Sequence, residues 1–201
     1  MRILDLFCGA GGASMGYHQA FPDAEIVGVD IVEQPEYPFT FVLGDALAAD
    51  VEGFDFVHAS PPCQAFSTIT PTVHSHVDLI AATRSRIQHL PYVIENVPQA
   101  PLRRDLMLCG SMFGMQVQRH RMFEHNLGLI LAPACNHKAW RDNGRPWTCT
   151  GEGGACSTEH SQKPGPISEW QELMGMPWVT KKKSIAEAIP PAYTRWIGEH
   201  L

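Results

Sequence analysis

The first half of the chain alternates short apolar runs with turn residues and helix-like stretches. Several of the apolar runs lack polar alternation, which is typical of strands buried on both faces. The strand-like runs cover residues 3–7, 25–30, 39–43, 54–59 and 92–95. Segments 13–20 and 77–90 have the spacing of helices. This alternation predicts an α/β fold with a doubly wound, mostly parallel sheet, in which ligands bind beyond the carboxyl ends of the strands.

The pattern changes after residue 124. Segment 132–166 is rich in Gly, Pro, Cys, His, Asn and Thr and has no clear period. We therefore expect a loop-built insert there, in a main domain formed by residues 1–131 and 167–201.

Helical signals resume after the insert. Ser168 is a candidate cap for a helix reaching about residue 174, with Gln171 at the capping-box position. Pro190 and Pro191 then predict the first turn of a last helix that runs to Leu201.

Composition is that of an ordinary globular protein. The 201 residues are 44% apolar and 18% charged. No apolar run reaches the ~18 residues of a membrane span, and the first residues lack the pattern of a secretory signal. We expect a cytoplasmic protein without membrane contact. Its six cysteines are then expected to be thiols, ligands or a nucleophile rather than disulfides.

The net charge of -6 does not by itself indicate nucleic-acid binding. Any phosphate contact would have to come from local clusters, of which Lys181 to Lys183 is the clearest. A solvated surface is the simpler interpretation of each cluster.

A glycine-rich turn, DLFCGAGG at residues 5–12, follows the first predicted strand. Glycines there let the backbone approach a ligand closely, and the following helix start offers free N–H groups. Asp30 and Asp45 come at the ends of the next two strands, where a carboxylate accepts hydrogen bonds from a ribose or an adenine amine. Each element alone is compatible with a simple turn, but the three in order favour a nucleoside-bearing cofactor.

Three further motifs carry candidate chemistry. SPPCQAFS, residues 60–67, places Cys63 on a proline-fixed loop after the fourth strand, where a nucleophile is expected, although most cysteines are structural. ENVP, residues 95–98, follows the fifth strand and begins with Glu95. QRHRMFE, residues 118–124, places two arginines on one face of an extended segment, a pair that suits an anion or a carbonyl oxygen or else a solvated edge.

Together these motifs resemble the cytosine carbon-5 DNA methyltransferases. The ordered signatures DLFCGAGG, GVDI, GDA, PPCQAFS, ENV and RHR span about residues 1–125, and MGMPW and EAIPPAYTRWIG resemble the closing motifs of that family. The compact form, with YPFTF, LCGSMFG and AIPPAYT, is similar to the short versions carried by bacteriophages. The resemblance implies a Rossmann-like S-adenosylmethionine-dependent methyltransferase that acts on cytosine in DNA with the base flipped out of the duplex.

The resemblance also implies a role for each matching residue. Cys63 would be the nucleophile and Glu95 the acid, with Arg119 and Arg121 orienting the base. Asp30 would bind the ribose and Asp45, beside Ala46, the adenine amine. The remaining cofactor-pocket residues would be Asp5, Phe7, Gly9, Gly11 and Gly12, with Phe7 against the adenine.

Two other functions fit the same motifs. An RNA (tRNA) cytosine methyltransferase would use the same chemistry, and the motifs do not separate it from a DNA enzyme. The other alternative is an inactive relic, a protein that binds nucleic acid but has lost catalytic activity. The candidate catalytic residues of this chain are intact, which argues against this alternative: Cys63, Glu95 and Arg119. The sequence gives neither the recognition site nor the oligomeric state.

Two motifs depart from the family pattern. Val117 stands where the family has a glutamine, and Ala186 with Glu187 stands where the closing motif has Gly-Asn. Since that asparagine touches the cofactor in the family, the cofactor tail would be held differently here.

The insert is much shorter than the recognition domain of the family, so we expect a short or degenerate recognition site. It contains enough donors for a structural zinc: Cys135, His137, Cys149, Cys156 and His160. Their spacings do not form C-x2-C pairs, which favours free thiols and surface histidines, and we predict no metal ligand.

Overall fold

A single twisted sheet carries the fold. The computed structural model describes residues 1–63, 66, 78–142, 146–149 and 164–201, and the strands among them pair in the order β3-β2-β1-β4-β5-β7-β6. Their bounds are β1 Arg2–Leu6, β2 Glu25–Asp30, β3 Thr40–Leu43, β4 Phe56–Ala59, β5 Tyr92–Asn96, β6 Leu106–Leu108 and β7 Arg121–His125.

Strands β1 to β5 are parallel, and β7 pairs antiparallel with both β5 and β6. The chain runs outward from β1 through β2 to β3 and then returns to place β4 on the other side of β1. The strand order therefore reverses between β1 and β4. At such a switch point the loops after the two strands diverge and leave a crevice at the carboxyl edge of the sheet.

Helices cover both faces of the sheet. Their bounds are α1 Gly12–Ala20, α2 Ile80–Ile87, α3 His137–Asp142, α4 Ile167–Met174, α5 Lys182–Glu187 and α6 Pro191–Gly198. On one face Tyr17 of α1 and Tyr193 of α6 pack with Ile3 and Phe56 in one buried cluster. On the other face the buried residues of α2 pack against the opposite sides of β1 and β4. The expected doubly wound α/β architecture is confirmed.

The strand predictions are confirmed to within two residues at each end, because buried parallel strands leave uninterrupted apolar runs in the sequence. The short strand β6 was not predicted; its three residues are too few to form a pattern. The middle of the expected helix 77–90 is present as α2, and residue 77 lies outside the described residues.

The predicted cap of α4 is wrong. Pro166 occupies the N-cap position in an extended conformation, and no side chain caps the helix there. Glu169, and not Gln171, reaches back, since its Oε2 accepts a 2.7 Å hydrogen bond from the N–H of Gly165. The side chain of Gln171 donates instead to the carbonyls of Pro177 and Val179.

The described part of the insert packs on the main domain. Cys149 is buried in a cluster with Val117 and with Trp170 of α4, and Val117 forms a parallel bridge with Trp147. The division into main domain and insert stays a prediction. Among the described residues, no helix is both long and apolar enough to cross a membrane.

Candidate active site

The loop after β4 carries Cys63 and is tied to the end of β5. Nδ2 of Asn96 donates a 2.8 Å hydrogen bond to the carbonyl of Pro61, and the N–H of Phe66 donates to the carbonyl of Cys63 at 3.0 Å. Cys63 is partly exposed. These contacts place its thiol at the carboxyl edge of the sheet, beside the strand that carries Glu95. Residues 64, 65 and 67 of the same motif lie outside the described residues.

Glu95 is a buried carboxyl group with a cation beside it. It is 6% exposed, and its Oε1 lies 2.9 Å from Nε of Arg121. Burial raises the pKa of Glu95, and this effect outweighs the opposing charges of Arg121 and Arg119. Within the described residues Oε1 makes no hydrogen bond of favourable geometry. The nearby guanidinium is therefore in contact but not aimed at this oxygen, which keeps an unused lone pair for a ligand.

A chain of buried polar groups leads from α1 to Glu95. The hydroxyl of Tyr17 lies 3.0 Å from Nδ1 of His58, and Nε2 of the same ring lies 2.9 Å from the hydroxyl oxygen of Ser60. Ser60 in turn hydrogen-bonds Glu95. Burial lowers the pKa of His58 to about 3, so the ring is neutral and passes one donor and one acceptor along the chain. This arrangement fixes the orientation of the Glu95 carboxyl group.

Three charged side chains of this cluster affect the pKa of the Cys63 thiol. Burial and the charge of Glu95 raise its pKa, whereas Arg121 and Arg119 lower it, and the net direction is upward from 9.0. The two arginines favour the thiolate, but burial and the charge of Glu95 outweigh them, so the resting group is a neutral thiol.

Arg119 has a different environment from Arg121. Its guanidinium donates to three backbone carbonyls, those of Cys149 at 3.0 Å, Ala186 at 2.7 Å and Ala188 at 2.6 Å. Burial, together with the charge of Arg121, lowers its pKa to about 9. The two arginines were expected to orient a base together. That role stays a prediction; in the structure Arg121 lies against Glu95, and Arg119 binds backbone carbonyls of the insert and of the closing motif.

A glycine cradle lies beside this cluster, at the end of β1. Gly9 and Gly11 have positive φ angles of 48° and 80°. A Cβ at Gly11 would approach the ring of Pro38 to 2.7 Å, whereas one at Gly9 would meet no atom within 4 Å. Phe7 also has a positive φ, 59°, a strained conformation that clusters at ligand sites. Gly12 begins α1, so its N–H belongs to the free first turn.

The acidic residues of the cradle lie at the carboxyl ends of three neighbouring strands: Asp5 within β1, Asp30 at the last residue of β2 and Asp45 two residues beyond β3. Oδ2 of Asp30 accepts a 3.0 Å hydrogen bond from the N–H of Gly9 and so fixes the turn. Asp45 is exposed, with Ala46 buried behind it. Asp5 is fully buried, and burial raises its pKa to about 7. Ser14 donates to its Oδ2 at 2.5 Å, and within the described residues its Oδ1 has no partner.

Sequence reasoning missed several contributors to the site. His58 belongs to no motif and Ser60 was treated only as the first residue of SPPCQAFS, although their i, i+2 spacing is a usable signal. Asn96 was treated only as part of ENVP. Ile31 and Leu43, which follow or precede the predicted acids, are 72% and 61% exposed. They form an apolar surface beside the cradle that sequence alone does not distinguish from buried strand ends.

Comparison with known proteins supports the fold. The chain matches no family model and no curated protein at a significant level. Among solved structures, a triple mutant of DNMT2 from Spodoptera frugiperda is 11% identical, with 98% of each chain covered and a TM-score of 0.63. The Entamoeba histolytica methyltransferase EhMeth is 13% identical over 100% of this chain and 97% of that chain, with a TM-score of 0.66. The chain therefore has the fold of these methyltransferases along its whole length.

Proposed function

We propose that the protein transfers a methyl group from S-adenosylmethionine to carbon 5 of cytosine in DNA, through a covalent adduct with Cys63. The observation that carries this proposal is the convergence of Cys63, Glu95 and Arg121 next to a glycine cradle. These residues come from three separate motifs, and their charges act on one another. A nucleophile, an acid and a cation around one crevice are the groups that this reaction needs.

The first step activates the cytosine ring. Carbon 5 is too weakly nucleophilic to attack a sulfonium. Cys63 first loses its proton to water, and the thiolate adds to carbon 6. The π electrons of the 5,6 bond then form a 4,5 double bond, and those of the 3,4 bond move to nitrogen 3. Glu95 donates a proton at nitrogen 3, for which its raised pKa is suited, since burial favours the protonated acid. Arg121 would bind the ring carbonyl oxygen.

Methyl transfer and release complete the cycle. S-adenosylmethionine, when bound, would supply an electrophilic methyl group to carbon 5, and the electrons of the broken carbon–sulfur bond would stay on its sulfur. A base then removes the carbon-5 proton, the 5,6 double bond forms again as Cys63 leaves as a thiolate, and nitrogen 3 returns its proton to Glu95. Because these atoms are inaccessible in a duplex, the target cytosine must be flipped out of the stack.

The glycine cradle fits the adenosine part of that cofactor. Open space at Gly9 and the orphan buried oxygen of Asp5 indicate a ligand with polar groups at the turn. The oxygens of Asp30 would accept from the ribose and Asp45 from the adenine amine, with Phe7 and the exposed Ile31 against the base. Ala186 and Glu187 replace the Gly-Asn pair of the family, so the carboxyl end of the cofactor would lack that contact.

Covalent trapping tests the proposal. DNA containing 5-fluorocytosine cannot lose fluorine after methyl transfer, so the enzyme should remain attached in a denaturation-resistant complex that needs S-adenosylmethionine. Cys63→Ser should form no complex while still binding the cofactor in calorimetry. A complex that persists in the serine variant, or none with the unaltered chain, contradicts the mechanism.

Parallel assays separate the alternatives. Duplex DNA, single-stranded DNA and tRNA with equal cytosine content should be offered with labelled S-adenosylmethionine. We expect transfer to duplex DNA. Transfer to tRNA alone would give the RNA enzyme, and transfer to none, with nucleic-acid binding retained, would identify a relic.

A further inference from the structure

Four side chains that can bind a metal converge beside the candidate site. Their donor atoms all lie within 4.8 Å of one another, although they come from the end of β6, the residue before β7, and the start of the insert. The four are Cys109, His120, Cys135 and His137.

The spacing of the donors matches a tetrahedral site. Sγ of Cys109 lies 3.4 Å from Nε2 of His137, and Sγ of Cys135 lies 3.7 Å from Nε2 of His120. With Zn–S bonds of about 2.3 Å and Zn–N bonds of about 2.05 Å, the S–N edge of a regular tetrahedron is about 3.6 Å. Both measured edges fall close to that length.

Neighbouring contacts hold the ligands in place. The ring of His137 stacks on Trp140, with centroids 4.7 Å apart and planes 9° from parallel. The hydroxyl of Ser111 donates to Sγ of Cys109 at 3.4 Å and accepts from the N–H of Asn136 at 3.1 Å. The segment between the two insert ligands is therefore docked on the turn that follows Cys109.

Donor chemistry selects the ion. Two thiolates and two neutral imidazoles exactly balance the charge of a divalent cation, which suits a cluster whose Cys109 is fully buried. A tetrahedral S2N2 set is the usual environment of structural zinc. Thiol–imidazole hydrogen bonds are weak and would not by themselves account for the convergence of three chain segments.

We infer that these four side chains bind a structural zinc ion that fastens the insert to the catalytic edge. The position of one ligand in the chain indicates what the ion would stabilise. His120 lies between Arg119 and Arg121, so the ion would fix the segment that presents both arginines. The insert is too short to bury a core of its own, and a metal supplies the missing stability in such segments. The sequence pattern missed this site because two of the ligands lie outside the insert, directly after β6 and directly before β7.

Metal analysis of the full chain tests the inference. Protein expressed in zinc-supplemented medium and freed of loosely bound metal should contain about one zinc ion per chain. Replacement with Co²⁺ should give the visible bands of tetrahedral cobalt and a near-ultraviolet thiolate-to-cobalt band. A chelator strong enough to remove the ion should lower the melting temperature.

Variants on the partly exposed side of the cluster avoid a folding failure. Cys135→Ser and His137→Gln should each lower zinc content several-fold and change the cobalt spectrum. Cys149→Ala, in the same insert, and His89→Gln, at an exposed position after α2, replace residues that are not among the four donors and should retain the ion. Circular dichroism checks that all four are folded.

Three results would overturn the inference. The first is purified protein with no bound zinc and no cobalt spectrum. The second is metal that both ligand variants retain, or that the control variants lose. The third is a disulfide between Cys109 and Cys135 in place of the ion, seen as the loss of two titratable thiols in freshly purified protein.

Discussion

The side-chain amide of Asn96 donates a 2.8 Å hydrogen bond to the carbonyl of Pro61. This bond joins the end of β5, which carries the candidate acid, to the loop that carries the candidate nucleophile. Asn96 is 1% exposed, so water cannot replace the bond. The distance between Cys63 and Glu95 therefore depends on a residue that takes no part in the chemistry.

Loss of this hydrogen bond should reduce turnover by more than the accompanying loss of folding stability can explain. Asn96→Ala should lower kcat by about 10- to 100-fold, since a displacement near 1 Å at a reacting group costs up to about that factor. Affinity for S-adenosylmethionine, whose proposed site is the glycine cradle after β1, should not change. Single-turnover kinetics and calorimetry measure the two quantities.

Asn126 provides a matched control at the other end of β5. It also makes two backbone hydrogen bonds, accepting from Tyr92 at 2.8 Å and donating to Leu90 at 2.8 Å. Because Asn126 is exposed and water can replace part of its bonds, Asn126→Ala should cost less unfolding free energy than Asn96→Ala and should leave kcat unchanged. Equal losses of kcat in both variants would assign the effect of Asn96 to general destabilisation.

The reactivity of Cys63 should follow the charges around it. In the free enzyme its alkylation rate should keep rising with pH beyond 9.0, because its pKa is raised above that value. Glu95→Gln removes a negative charge and should move the midpoint down, whereas Arg121→Met removes a positive charge and should move it up, each by about one unit. Iodoacetamide labelling followed by peptide mass spectrometry resolves Cys63 from the other thiols. Shifts of the same sign in both variants would show that Cys63 lies outside this cluster.

The sequence predicts those parts of the site that are local in the chain. Buried strands leave apolar runs, and the loops after them carry the candidate residues, so the carboxyl edge of the sheet was predictable. The hydrogen bonds of the Arg119 guanidinium were not predictable from the sequence. They reach the carbonyls of Ala186 and Ala188, which are more than sixty residues away in the chain. The cap of α4 failed for a local reason: Ser168 is a good capping residue, but Pro166 already fixes the extended conformation that precedes a helix.

The buried Asp5 should make stability depend on pH. Its pKa is about 7 in the folded chain against an ordinary 3.8. Below both values the two states bind the proton equally. As pH rises from about 4 to about 7, only the unfolded chain releases the proton readily, so the folded state loses stability, by about 4 kcal/mol for a shift of this size, and the loss is constant above it.

Asp5→Asn removes this titration. Between pH 4.5 and 7.5 the unfolding free energy of this variant should fall less than that of the unaltered chain. The variant therefore becomes the more stable of the two, relative to its standing at low pH, as pH rises. Urea unfolding without cofactor, repeated across this pH range, measures both free energies. Asn126→Ala, which removes no titratable group, should leave the pH dependence unchanged. Parallel pH profiles for Asp5→Asn and the unaltered chain would mean that Asp5 is ionised and stabilised when folded.

The short insert should leave DNA binding dependent on phosphate contacts. Specific DNA-binding modules bury at least about 600 Å² of protein surface, more than a loop of this length presents alone. We therefore expect a recognition site of about two to four base pairs, read by a few bidentate contacts, and strongly salt-dependent affinity. Modification by the isolated protein of only a six-base or longer site would contradict this expectation.

The lysine cluster before and within α5 is the candidate for those contacts, but its members are not equivalent. Nζ of Lys182 donates to the carbonyl of Gly165 and lies 5.8 Å from the ring centroid of Trp170. Lys181 and Lys183 are exposed. Arg119 binds the carbonyl of Ala186 in α5, so the helix that carries Lys183 and follows Lys181 is tied to the candidate site.

Salt titration separates the two kinds of lysine. Lys181→Ala and Lys183→Ala should each weaken binding to any duplex sequence and reduce the slope of log affinity against log salt by about 0.9, the value for one lost phosphate contact. Arg2→Ala removes a charge at the amino end of β1, on the opposite edge of the sheet, and should leave the slope unchanged. Measurement by fluorescence anisotropy with a short labelled duplex gives all three slopes. If the two lysine variants keep the full slope, the DNA phosphates contact other residues. If Arg2→Ala reduces the slope equally, the effect comes from net charge, because Arg2 lies at the amino edge of the sheet and makes no local contact with DNA bound at the carboxyl edge.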